Sequence, residues 1–260
     1  MSLNLNGKLN YILYIIRNYP EWYLIFFYRL LKKTITRLNL KNGLTIFGGK
    51  RSQILDIADE IFVQKVYNPM YMPLKPEATV IDIGANVGIY CLYAAKNGAK
   101  RIYAVEPLSQ NISLIKKNFK TNKLTQPIIT EAAVTNRSGG ARLYLADFDS
   151  HGLLFNHDYK KKFTKYIFIR SITLTNIIQK NRIKRVDFLK IDCEGGEGEI
   201  IYSTPAAIWH KIDKVAIEYH NGVSKYNNVN IVNRLKKLGY QTKLKSLDPY
   251  LGYIYAWKQR

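Results

Sequence analysis

Three apolar runs in this sequence each end at a carboxylate, with glycine or proline close behind. They are Val80 to Tyr90 (VIDIGANVGIY, with Asp82), Ala104 to Pro107 (AVEP, with Glu106) and Val186 to Ile200 (VDFLKIDCEGGEGEI, with Asp192). An apolar run that stops at an acid and a tight turn reads as a buried strand delivering a polar group to its carboxyl end, where open α/β sheets bind ligands. In the first run, Gly84 and Gly88 let the backbone turn sharply and pass close to a ligand, and the helix start behind them offers unpaired N–H donors. A dinucleotide site would need G-x-G-x-x-G, but Asn86 and Ile89 occupy the second and third glycine positions. The turn therefore suits a ligand whose amino-acid end is held beside Gly84, Ala85 and Asn86. Glu106 follows the turn by about 20 residues, the position from which a carboxylate in such folds accepts hydrogen bonds from two ribose hydroxyls.

The third run places Asp192 at the same edge and Glu194 and Glu197 three residues apart at a helix start. Acids there also steady the helix dipole by about 0.3 to 1 kcal/mol each, which is role enough for Glu199. Asp192 and Glu194 converge with Asp82 and are assigned to chemistry. His220 lies just beyond a strand containing Glu218 and is the first candidate for general base, because imidazole titrates near neutrality; the plainer reading is a surface histidine before an Asn221-Gly222 turn. Asp192 or Glu194 is the next choice, as base or as ligand to a divalent ion, although nothing in the pattern demands a metal. The four histidines (151, 157, 210, 220) and two cysteines (Cys91, Cys193) form no zinc-binding spacing.

These groups need a scaffold, and from Thr79 onward β-branched runs alternate with amphipathic stretches, the pattern of a mostly parallel sheet with helices on both faces. Strands are expected at Thr79 to Ile83, Arg101 to Val105, Pro127 to Glu131, Val186 to Asp192 and Val215 to Tyr219. Helices are expected at Gly88 to Asn97, Gln110 to Thr121, Gly195 to Tyr202 and Val229 to Leu238. Gln241 to Ser246 and Leu251 to Trp257 read as a terminal antiparallel pair. The alternation fails over residues 135–185, read as an inserted hairpin and basic loop covering the substrate site. Its lysines and arginines include Lys160, Lys161, Lys162, Lys165 and Arg170.

Residues 1–78 read as a helical extension to an α/β domain over 79–260. Tyr11 to Ile16 and Trp22 to Tyr28 are apolar and aromatic, but Arg17, Pro20, Glu21 and Arg29 interrupt them well short of the about 18 residues needed to span a bilayer. They read as two short helices that pack on the main domain, join two subunits in a homodimer, or lie on an anionic membrane. A cytoplasmic, reducing location, peripheral to a membrane in the last case, is expected from the sparse cysteines and the lack of a signal-peptide cleavage pattern. Forty Lys and Arg against nineteen Asp and Glu give a net charge of +21, a field that attracts nucleic acid, anionic lipid or phosphorylated substrates.

Taken as a set, these segments resemble the FkbM family of methyltransferases, named for an enzyme that O-methylates a macrolide. The similarity runs from about Thr79 to the C-terminus and includes AAVTNRSGGARLYL (Ala132 to Leu145) and IEYH (Ile217 to His220). The resemblance implies a seven-stranded Rossmann-like fold, S-adenosyl-L-methionine as methyl donor, and a hydroxyl acceptor on a sugar, glycan or secondary metabolite. It also implies that Asp82, Gly84, Asn86 and Gly88 line the methionine end, that Glu106 takes the ribose, and that Glu131 and Ala132 lie near the adenine. Thr175 departs from the family, which commonly carries an acid there. The basic insertion points to an acidic acceptor, phosphorylated or lipid-linked. The competing readings are a nucleic-acid methyltransferase, a nicotinamide oxidoreductase and a non-catalytic binding protein. Cys193-Glu194-Gly195 in place of an Asn/Asp-Pro-Pro-aromatic turn disfavours adenine-N6 chemistry, and Asn86 and Ile89 disfavour the nicotinamide cofactor.

Overall fold

The computed structural model describes residues 5–49, 53–145, 152–153 and 165–259. Two helices come first, α1 (Leu5–Asn18) and α2 (Trp22–Leu30), then a hairpin of β1 (Arg37–Asn39) and β2 (Thr45–Phe47), helix α3 (Ile54–Ala58) and a π-helical turn, Asp59–Val63. The alternating region supplies β3 (Thr79–Ile83), α4 (Ile89–Lys96), β4 (Arg101–Glu106), α5 (Ser109–Thr121) and β5 (Ile128–Glu131). Next come β6 (Ala133–Val134), β7 (Gly139–Leu145), β8 (Gly152–Leu153), β9 (Tyr166–Ile172) and α6 (Leu174–Lys180). The chain closes with β10 (Phe188–Ile191), α7 (Glu197–Ser203), α8 (Ala206–Trp209), β11 (Lys214–His220), α9 (Asn228–Lys237), β12 (Gln241–Ser246) and β13 (Leu251–Trp257).

Seven strands form one sheet in the order β12-β13-β11-β10-β3-β4-β5, parallel except where β13 runs between β11 and β12. The sequence explains the parallel core: VIDI and FLKI are buried along their whole length, as strands covered on both faces must be. The strands and helices expected from Thr79 onward are all present, with ends displaced by two residues at most. Connections leave in opposite directions from β3 and β10, so a crevice opens between their carboxyl ends, the place where ligands bind in such sheets. In register there, Asp82 lies opposite Lys190 and Ile83 opposite Ile191.

The insertion is more ordered than a hairpin and loop. β7 pairs antiparallel with β9, β9 parallel with β6, and β8 completes a four-stranded sheet. Residues 174–180, expected within the loop, form α6 instead. Thr173 caps it by accepting from the Asn176 N–H (3.1 Å), and Leu174, Ile177 and Ile178 are buried at the i, i+3, i+4 spacing of a short amphipathic helix. Lys160, Lys161 and Lys162 lie outside the described residues.

The N-terminal part shares one core with the sheet: Ile15, Ile25, Ile46, Ile54 and Tyr67 belong to the same buried cluster as Val80, Leu92 and Phe188. The β1–β2 hairpin was not expected. Its outer edge is closed by two side chains four residues apart on α5. Asn118 accepts from the Phe47 N–H (2.6 Å) and donates to the Phe47 carbonyl (3.0 Å), while Asn122 does the same to Thr45 (2.8 and 2.7 Å). A pair of amides on one helix face thus substitutes for a neighbouring strand.

Candidate functional site

A cavity of about 620 Å³ opens over the carboxyl ends of β3, β4, β10 and β11, within the usual range for small-molecule sites. Its first half is built from two contiguous stretches. Gly84 sits at φ +76°, and a Cβ there would overlap the carbonyl oxygen of Asp192, so only glycine lets the β3 loop cross the end of β10. Asn86 follows with φ +49°, pinned because its N–H donates to Glu106 Oε2 (2.9 Å). Glu106 Oε1 accepts from the Leu108 N–H (3.1 Å) and from Asn111 Nδ2 (3.0 Å). Burial pushes the Glu106 carboxyl up to about 7 even though these three bonds favour its ionised form. Ala85, Val105, Pro107, Leu108 and Ala132 supply apolar walls, and Asn86 Oδ1 is buried without a hydrogen-bond partner among the described residues. An orphaned acceptor on a cavity wall, beside a carboxylate whose position is fixed by backbone donors, fits a ligand that brings its own N–H and O–H groups.

Three residues expected to line this half are placed elsewhere. Asp82 is fully buried behind the cavity, its Oδ1 paired with Lys190 Nζ (3.1 Å) and its Oδ2 accepting from the Cys91 thiol (3.2 Å). The register that sets it opposite Lys190 explains this: the lysine reaches the cavity and the aspartate anchors it. Lys190 also donates to the Gly84 carbonyl (3.1 Å) and pairs with Asp192 (3.3 Å), tying both walls together. Gly88 caps α4 at φ +82° and packs on Ile115 rather than on the cavity. Glu131 is exposed in a separate surface groove with Lys120 and Lys123, because successive strand residues face opposite ways and Ala132 takes the cavity side.

The second half gathers acids. Tyr67, fully enclosed in the chain between α3 and β3, sets its hydroxyl 3.0 Å from Asp192 Oδ2 and 2.6 Å from Glu218 Oε2. One hydroxyl proton serves two carboxylates. Burial and the neighbouring Asp192 charge push Glu218 up to about 8, while Asp192 is held below its ordinary value because Lys190 and His220 outweigh the effect of burial. His220 approaches Glu197 Oε1 through Nδ1 (3.3 Å), and Glu194 Oε2 through Nε2 (3.3 Å). Glu197 is itself fixed by the Cys193 and Gly195 N–H groups (3.2 and 3.0 Å). Burial opposes charge on the imidazole, but Glu197, Glu194 and Asp192 more than offset it and raise His220 to about 10. The acidic neighbours of His220 thus favour its imidazolium form over the neutral imidazole expected from the sequence, and burial favours the neutral acid form of Glu218.

Asp192, Glu194 and His220 line the same cavity, whereas Asp82, with which the two acids were expected to converge, does not. One oxygen or nitrogen from each of Asp192, Glu218 and His220 falls within 4.8 Å of the others, a donor set that a divalent cation also accepts. Sequence reasoning missed Tyr67, Lys190 and the acids of the α3 side, Asp56 and Glu60, which also line the cavity. Lys190 left a signal, a cation inside a buried strand two residues before Asp192 and hence on the same face. Tyr67 left none, since it stands 125 residues from the aspartate it contacts. Six carboxylates line the cavity (Asp56, Glu60, Glu106, Asp192, Glu194, Glu218) against the cations Lys190 and His220, opposite in sign to the chain's net charge.

The profile of the Methyltransferase FkbM domain matches residues 82–242. The chain is 21% identical to 31-O-demethyl-FK506 methyltransferase FkbM of Streptomyces tacrolimicus over 215 residues, covering 72% of this chain and 82% of that protein. It is 23% identical over 218 residues to AMB antimetabolite synthetase AmbE of Pseudomonas aeruginosa, covering 71% of this chain but only 10% of that much longer protein. Among solved structures, the METTL16 MTase domain aligns with TM-score 0.50 at 15% identity, over 84% of this chain and 74% of that one. The FkbM methyltransferase of Methylobacillus flagellatus KT aligns with TM-score 0.44 at 16% identity, over 69% of this chain and 43% of that one. With the sheet order, the cavity at its switch point and the profile spanning most of the chain, this protein belongs to the FkbM domain family of methyltransferases.

Proposed function

We propose that the protein is an S-adenosyl-L-methionine-dependent O-methyltransferase acting on a hydroxyl of a sugar, glycan or secondary-metabolite acceptor. The observation that carries this reading is the division of one cavity into a glycine-turn and Glu106 half and a Tyr67–Asp192–Glu218 half. Gly84, Ala85 and Asn86 would hold the amino-acid end of the cofactor, Glu106 its ribose hydroxyls, and Ala132 with Leu108 the face of its base. Bound there, it supplies a methyl group on a sulfonium that needs little further activation.

The chain's own tasks are alignment, exclusion of water and removal of one proton. An acceptor hydroxyl seated between the two halves gives its proton to the ionised form of Glu218, which becomes the main form above about pH 8 and is then a stronger base than an ordinary carboxylate. Tyr67 relays or steadies that proton, Asp192 orients the hydroxyl, and the His220 imidazolium balances charge that builds on the acceptor oxygen. The acids of the cavity favour a neutral or cationic reacting moiety. A phosphate on the same acceptor would sit outside the acidic cavity.

Methyl transfer from labelled S-adenosylmethionine to a panel of sugars, lipid-linked glycans and RNA tests this reading. Labelled product from a hydroxyl acceptor, lost in Glu218→Gln, is expected; label confined to RNA, or equal turnover by the variant, would contradict it. Exchange of Lys160, Lys161 and Lys162 for Ser should weaken binding of a phosphorylated acceptor and leave cofactor affinity unchanged.

A further inference from the structure

The two opening helices are apolar on both sides. Inward they bury Ile15 and Ile25, with Tyr19 of the connection between them; outward they present Leu13, Trp22, Tyr23, Phe27 and Leu30, the last 80% exposed. A helix packed on a domain ordinarily turns polar residues to water, and a contiguous exposed patch of leucine and aromatic rings marks an interaction surface. Trp22 meets Tyr23 at 6.0 Å and Phe26 at 6.2 Å within α2, and the Arg29 guanidinium lies 4.7 Å over the Tyr11 ring, joining α2 to α1.

The charge around the patch selects its partner. From Tyr11 to Gly49 the chain carries Arg17, Arg29, Lys32, Lys33, Arg37 and Lys41 against a single acid, Glu21, and that carboxylate accepts a hydrogen bond from Asn39 Nδ2 (2.7 Å). A second copy of this face would bring like charges together, which costs affinity. Aromatic and leucine side chains beside Lys and Arg are instead the composition of helices that lie in the interfacial plane of an anionic bilayer. No helix among the described residues is long and apolar enough to cross a membrane, so the contact is peripheral.

We propose that the outward face of α1 and α2 is a docking surface for an anionic lipid bilayer. The docked helices connect directly to a wall of the cavity. Tyr19, in the connection between the two helices, donates to Asp59 Oδ1 (3.3 Å), and Glu60 and Ile61 of that π-helical turn line the cavity. The acceptor class this arrangement serves is a hydroxyl on a lipid-borne glycan. That consequence rests on the proposed O-methyl transfer, whereas the lipid contact itself does not.

Flotation of the full chain with vesicles of phosphatidylcholine alone, and with phosphatidylglycerol added, reads the contact without any methyl transfer. The protein should bind the anionic vesicles at least about 10-fold more tightly than the neutral ones, and added salt should weaken that binding. Phe27→Ser with Leu30→Ser, and separately Lys32→Glu with Lys33→Glu, should each lower the partition by about 10-fold or more, with circular dichroism and cofactor binding unchanged. The charge-reversal pair leaves the apolar face intact, so it tests the surface even if the serine pair perturbs folding. Absence of vesicle binding by protein that still binds cofactor would overturn the proposal, as would wild-type binding by both variants. So would a dimer abolished by the serine pair in protein that ignores vesicles, since the face would then belong to a second copy.

Discussion

The two halves of the cavity are built differently. The glycine-turn half comes from Ile83 to Tyr90 and Val105 to Asn111, two short stretches whose conformation is set locally by Gly84, the left-handed Asn86 and the backbone donors on Glu106. The acidic half is assembled from Tyr67, Asp192 to Glu197 and Glu218 to His220, brought together only by sheet order and register. On the proposed reading, local geometry makes the half that would hold the cofactor, and long-range topology makes the half that an acceptor would meet. Substitutions should separate the two, with loss of ligand affinity from the first and loss of turnover from the second.

The largest effect is expected where the halves touch. Gly84→Ala puts a methyl group against the Asp192 carbonyl at a positive φ, so it should cost about 3 kcal/mol or prevent folding, read as a lowered Tm and no cofactor binding. A stable variant that binds cofactor normally would show that the halves are not held in contact through this residue. Glu218→Gln keeps shape and removes the base; kcat should fall by about 10² to 10⁴ with cofactor affinity nearly unchanged.

Tyr67→Phe should act in the same half but more weakly. Its hydrogen bond lowers the proton affinity of Glu218, so the variant should move the acidic limb of the kcat/KM profile to higher pH and reduce activity by about 10-fold. An unmoved limb would place the base elsewhere. A separate effect, on stability rather than turnover, is expected against pH. His220 is raised from 6.5 to about 10, so the stability it contributes is fully present below pH 6.5 and is lost as pH rises through about 10. The stability gap between wild type and His220→Asn in urea unfolding should therefore narrow between pH 7 and pH 10. A constant gap would mean the imidazole is neutral throughout.

How much could be read in advance follows the same division. Each of β3, β4, β10 and β11 announced itself as an apolar run, and the glycine turn with Glu106 is a local pattern, so Gly84, Ala85, Asn86 and Glu106 could be placed at the cavity from the sequence. Asp82 was misplaced because a strand-end acid reads alike whether it faces the cavity or pairs behind it; the Asp82–Lys190 register decides, and register is not local. Tyr67 was invisible, since a lone tyrosine in a stretch of turns carries no periodicity. His220 was found in position but not in charge state, because Glu194 and Glu197 reach it from the next helix start. Helix α6 was hidden by its length, two turns flanked by basic residues. The β1–β2 hairpin was hidden because side-chain amides, not a third strand, close its edge.

Calorimetric titration of S-adenosylmethionine into wild type, Glu106→Gln and Glu218→Gln tests the central claim most directly. The account predicts saturable binding to wild type that weakens as pH falls below about 7, since ribose donors favour the ionised Glu106 and binding then releases a proton. It predicts a loss of about 10-fold or more in Glu106→Gln and little change in Glu218→Gln. Folded wild-type protein that takes up no cofactor, or binding lost equally in both variants, would contradict it.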